Sequence, residues 1–121
     1  MLLSAQIVMR YPEYGLYPLP VPVVKHTSRV LVHLTLDYFH KPLLDRYTIT
    51  HRISGRAFAH SLPKAEAICY AERLNDLPEL DYHANVVCRS PRVRRIAEEL
   101  RYLEFITRKE MPCHTSTLNS I

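Results

Sequence analysis

The chain has 121 residues, with 16 Lys and Arg against 12 Asp and Glu for a formal net charge of +4, and it is 47% hydrophobic, which suits a folding domain and excludes a disordered tail. Only Gly15 and Gly55 occur, against a usual ~7% glycine, so a glycine-rich phosphate loop is excluded. No apolar run approaches the ~20 residues of a membrane helix.

Cys69, Cys88 and Cys113 are odd in number and match no metal knuckle or redox pair, and the opening MLLSAQIVMR lacks a basic, long-apolar leader pattern. The expectation is a cytoplasmic protein in a reducing compartment.

In chain order, Leu3, Ala5, Ile7 and Met9 alternate as in a strand. Residues 11–26 form a Pro/Tyr-rich arm. Pro12, Pro18, Pro20 and Pro22 remove backbone donors and favour polyproline-like extension over a regular ladder. Tyr11, Tyr14 and Tyr17 make the arm too apolar for a free linker, so it is expected to pack on the body or on a partner. Arg29 to Asp37 alternates strictly, with Val30, Val32, Leu34 and Leu36 on one face. Tyr47 to Ile53 and Arg56 to Ser61 read as two strands joined by a two-residue Ser54-Gly55 hairpin. In that register Ile49 faces His60 and His51 faces Phe58. Tyr47, Ile49, His51, Ile53, Phe58 and His60 then form the core face, and Thr48, Thr50, Arg52, Ala57 and Ala59 the outer one.

Ser61 as N-cap and Pro63 in the first turn open a helix with Ala67, Tyr70, Ala71 and Leu74 inward, ending near Asn75-Asp76. Leu80 to Cys88 has the composition of a short strand. Ser90-Pro91 opens a second helix to about Lys109, with Val93, Ile96, Ala97, Leu100 and Leu103 buried. The fold expected is α+β: a small antiparallel sheet of three to five strands with two helices packed on one face, one domain over 1–110 and a polar tail over 111–121.

His51 and His60 share the core face of the hairpin, within reach of Cys69 or Glu66. A metal site is conceivable there, but half-buried histidines more commonly satisfy themselves on backbone or hydroxyl groups, so no metal and no cofactor is expected. Cys69 reads as helix core. No serine, threonine or cysteine lies in a nucleophile signature, and Glu98, Glu99 and Glu104 are matched at i,i+4 by Arg94, Arg95 and Arg108. The protein is therefore expected not to be an enzyme.

Charge is uneven along the chain. Residues 1–45 carry four basic and three acidic groups, 46–88 five and five, and 89–121 seven and four. The excess gathers at Arg89, Arg92, Arg94 and Arg95, around a helix start where the dipole disfavours cations by about 0.3–1 kcal/mol each. Such a cluster with free backbone amides would suit phosphate or an acidic protein surface. The plainer reading is a solvated, salt-bridged face.

The run from Arg46 to Leu74 has strand, tight turn with Gly55-Arg56, strand, and a helix opening Ala65-Glu66-Ala67 and carrying Tyr70-Ala71. It resembles the sheet-plus-helix unit of AP2-type and integrase arm-type DNA-binding domains, which lay a three-stranded sheet in the major groove. The tryptophans of those domains have no counterpart in this chain. The resemblance implies that Arg46, Thr48, Thr50, Arg52 and Arg56 read DNA.

Two functions are thus in contention. The leading one is a small protein-interaction module of the phage or mobile-element inhibitor or adaptor kind, monomer or homodimer, binding a host protein or ribonucleoprotein complex through Tyr11, Tyr14, Tyr17 and the arginine cluster. The alternative is a nucleic-acid-binding domain using hairpin 46–61 and Arg89–Arg95.

Overall fold

The computed structural model describes residues 3–11, 15–37, 41–82, 87 and 89–110. Five strands, β1 (Leu3–Tyr11), β2 (Gly15–His26), β3 (Val30–Leu36), β4 (Pro42–His51) and β5 (Ala57–Leu62), form one antiparallel sheet in sequential order. Helix α1 (Lys64–Asn75), a 3₁₀ turn (Pro78–Asp81) and helix α2 (Pro91–Glu110) follow, so the α+β expectation holds. The expected tail at 111–121, like Cys88 and Cys113, lies outside the described residues.

The proline arm is where the sequence reading fails. Gly15–His26 is a strand, paired with β1 from Leu3↔Val23 to Tyr11↔Gly15. Pro18, Pro20 and Pro22 have the same parity, so their missing N–H groups all fall on one edge of β2. The ladder to β1 is carried by the donors of Tyr17, Leu19 and Val21 on the other. β3 pairs with β2 only at Val23, Lys25 and His26, so the donorless edge is asked for no bonds. The three prolines are thereby compatible with a two-stranded ribbon that runs on beyond β3.

The hairpin also differs from expectation. Tyr47↔Leu62 keeps the anticipated register, but Ile49 pairs with Ala59 and Thr50 with Ala57. Two additional β5 residues are absorbed, one between Ala57 and Ala59 and one between Ala59 and Leu62, where Ser61 adopts φ 58° as a bulge residue instead of capping α1. Pro63 takes the N-cap position with no side-chain bond. The connection is longer than two residues because a tight hairpin turn of that kind requires positive φ at both central positions. Gly55, at φ 72°, is the one residue of the turn to adopt it. The turn closes through His51 N–H to Arg56 O at 2.8 Å and Gly55 N–H to His51 O at 2.9 Å.

Both helices cover the same face of the sheet. Val30, Val32, Ile49, Ala59 and Leu62 pack against Ala67, Ala71 and Leu74 of α1 and against Val93, Ile96 and Leu100 of α2, with Leu77, Leu80 and Val87 completing the core. Cys69 is exposed, because it lies opposite the i, i+4, i+7 stripe of Ala67, Ala71 and Leu74. Leu80–Asp81 belongs to the 3₁₀ turn and not to a strand, and 83–86 lie outside the described residues.

The second face of β3 and β4 is buried too, although it is polar. Thr48 and Thr50 are 1% and 2% exposed, and Arg46 only 8%. Thr35 and Thr48 share a hydrogen bond at 2.8 Å, and Thr35 Oγ1 also accepts the Ser61 N–H at 3.0 Å. His33 bonds the Leu34 carbonyl at 2.9 Å and Thr50 Oγ1 at 2.7 Å. A carbonyl only accepts, so Nδ1 of His33 carries a proton, and in the neutral ring Nε2 accepts from Thr50. Burial holds its pKa below the ordinary imidazole value.

Candidate functional site

The start of α2 resolves the question of its arginines. Ser90 Oγ accepts the Val93 N–H at 3.3 Å, which makes it the N-cap, and donates to Glu79 Oε2 at 2.7 Å. Glu79, reaching over from the 3₁₀ turn, also receives both arms of Arg92, Nε at 2.9 Å and Nη2 at 2.6 Å. α2 has no acid in its own first turn, and Glu79 supplies one from outside. The guanidinium and the Ser90 hydroxyl hold the Glu79 carboxyl at about 2, well below its ordinary 4.5. Of Arg89, Arg92 and Arg95, the three arginines read as a phosphate site, Arg92 is thus engaged by the protein's own carboxylate. Arg89 is exposed.

Of the three i,i+4 pairs read from the sequence, Glu104–Arg108 forms at 3.0 Å. Glu99 turns instead to α1, accepting from Tyr70 Oη at 2.9 Å and Arg73 Nη1 at 3.3 Å, while Arg95 acts on it only through its field. Arg94 and Glu98 make no ion pair with each other, and both line a cleft of about 280 Å³.

That cleft lies between the β4–β5 turn and the first half of α2. Its apolar lining is Ala57, Phe58, Val87, Val93 and Ala97, and Arg56, Arg94, Glu98 and Arg101 form an exposed charged rim. One wall is fixed by His51. Its Nε2 meets the Leu80 carbonyl at 2.7 Å and must carry the proton, leaving Nδ1 to accept from Ser54 Oγ at 2.8 Å. Ser54 Oγ in turn accepts the Arg56 N–H at 3.1 Å, so the turn that presents Arg56 is clamped at three points. Phe58 stands edge-on to His51 at 6.2 Å.

A serine beside a histidine can also be an activated nucleophile. Here both imidazole nitrogens are engaged, the ring is 2% exposed, and the hydroxyl already brackets a turn three residues long. The group binds the turn together. Both nitrogens of His51 are thus bonded within the fold, and among the described residues no cluster of three metal-ligating side chains exists.

Among the described residues, the guanidinium groups of Arg56, Arg94 and Arg101 have no hydrogen-bond or ion-pair partner within the protein. Three unpaired cations over an apolar floor, with Glu98 the one carboxylate on the rim, complement an anion carried on an apolar stem. The residues that the sequence nominated therefore separate. Arg56 and Arg94 converge here and Arg92 is clamped. Arg52 is exposed at the turn, reaching the Thr27 carbonyl at 3.4 Å. Arg46, Thr48 and Thr50 are buried, so of the five residues that the resemblance implies read DNA only Arg52 and Arg56 are exposed. Tyr11 and Tyr17 lie on the ribbon, across from Gly15 and Met9 respectively, and Tyr14 is outside the described residues. Arg101 was missed. The signal for it was the spacing Arg94, Ala97, Glu98, Arg101, an i, i+3, i+4, i+7 stripe.

Compared with protein-family models, with curated proteins and with solved structures, the chain matches none. Among the described residues, no helix is long and apolar enough to cross a membrane.

Proposed function

We propose that the protein is a non-enzymatic interaction module, an adaptor or inhibitor, that captures an acidic protein surface in the cleft rimmed by Arg56, Arg94 and Arg101. One observation supports this most: these three guanidiniums converge without an internal carboxylate partner, beside a helix start where a comparable arginine is fully engaged. Exposed ion pairs within a protein contribute little to stability. Cations held without one are free to engage a partner, where charge complementarity sets association rate and specificity.

The test is affinity capture with wild-type protein and an Arg56→Glu, Arg94→Glu variant, each with and without nuclease. The reading requires a protein bound at fixed stoichiometry that survives nuclease and is lost with the variant. Recovery of nucleic acid instead, weakening with salt by about 0.9 log units of affinity per log unit of salt for each phosphate contact, would replace it with nucleic-acid binding. A partner retained equally by the variant would remove the cleft from the account.

A further inference from the structure

The basic surface does not end at the cleft. Arg101 also borders a second, shallower depression of about 480 Å³, lined by Glu104, Phe105, Arg108 and Lys109. Arg94, Glu98, Arg101, Phe105 and Arg108 follow one another at alternating steps of four and three residues along α2, which places them in a single stripe. Phe105 is 63% exposed and Tyr102 beside it 66%, an unusual outlay of aromatic surface on a helix whose opposite side is core.

From this continuity we infer that the α2 stripe and the cleft form one binding track for a linear acidic peptide, with an apolar side chain seated in the cleft and carboxylates along Arg101 and Lys109. The inference rests on the reading of the cleft as an anion-binding site. From Arg94 to Arg108 the helix rises about 21 Å, the reach of roughly six or seven extended residues. Glu104 is already engaged, accepting the His60 N–H at 2.8 Å and Arg108 at 3.0 Å, so the positive side of the balance is Arg56, Arg94, Arg101 and Lys109 against Glu98 alone. Glu98 decides between polymers. It stands midway between Arg94 and Arg101, where a nucleic-acid strand with a phosphate at every step would meet it, whereas a peptide can place an uncharged residue there. The floor of Phe58, Val87, Val93 and Ala97 likewise fits an aliphatic side chain and offers nothing to a phosphate.

The experiment is fluorescence anisotropy with three labelled probes on the intact protein: a short Asp/Glu peptide with one central Leu, the same peptide with Ser for Leu, and an oligothymidylate of equal charge. The Leu peptide is expected to bind at least about tenfold more tightly than the Ser peptide and more tightly than the oligonucleotide. Arg94→Glu with Arg101→Glu should weaken it by at least about tenfold, and Phe105→Ser by about threefold. Arg101→Gln and a thermal melt of each variant separate loss of charge from loss of fold. Equal binding of the two peptides, preference for the oligonucleotide, or an unaffected Phe105→Ser protein would each overturn the track. If capture of a protein partner still depends on Arg56 and Arg94 while the Leu peptide fails to bind, the linear-peptide inference falls and the interaction-module reading stands.

Discussion

Arg92 and Arg94 stand two residues apart at the start of α2 and have opposite environments. Arg92 is gripped by Glu79 through both arms of its guanidinium, while Arg94 rims the cleft with no partner among the described residues. On a helix two residues turn the side chain by about 200°, so a run of like charges in sequence is split between two surfaces. One of these is part of the fold's own electrostatics and the other is available to a ligand.

The largest effect should come from breaking both regions together. Leu100→Ala empties a fully buried position beneath the middle of α2 and should cost about 2–5 kcal/mol of unfolding free energy, read by chemical denaturation. Next comes the cleft alone: Arg94→Glu with Arg101→Glu should weaken the captured partner by at least about tenfold, while stability stays within about 0.5 kcal/mol of wild type because both positions are exposed. A large stability loss in that variant would mean the cleft arginines belong to the fold after all.

The helix start should answer in reverse. Ser90→Ala removes the N-cap bond to Val93 and the donor to Glu79, at a cost of about 0.5–2 kcal/mol, with partner binding unchanged. The smallest effect is in pH. The carboxyl of Glu79 is depressed to about 2 from 4.5, so its contribution is fully present above 4.5 and is lost as pH falls toward 2. Glu79→Gln should flatten that limb of the stability curve. His33 acts in an earlier window. Its pKa is lowered from 6.5 by burial, so folding favours the neutral ring, and stability should begin to fall as pH drops below 6.5. Denaturant midpoints measured stepwise from pH 8 to 2 resolve both limbs.

Much of the local structure was legible. The helix opened by Ser90-Pro91 and its buried residues Val93, Ile96, Ala97 and Leu100 follow from capping chemistry and a 3.6-residue period. The β3 alternation and the Ala67, Ala71, Leu74 stripe follow in the same way. The proline strand was not legible, since proline's missing donor argues against a ladder until it is known that the facing edge is unpaired. Nor was the fate of the threonine face, because alternation of polar and apolar residues looks the same whether the polar side meets water or a buried hydrogen-bond network.

For the site, the sequence by itself determined which side chains carry charge, that Arg56 adjoins a turn, and that Arg94 lies in the first turns of a helix; the seven-residue spacing to Arg101 was there to be read and was not. Only the tertiary structure decided which arginines are free. That choice depends on where Glu79 and Glu99 reach, and each is bonded to residues of an element distant in sequence. A carboxylate's nearest cation is set by how helices and strands pack, over a few ångströms that no spacing along the chain encodes.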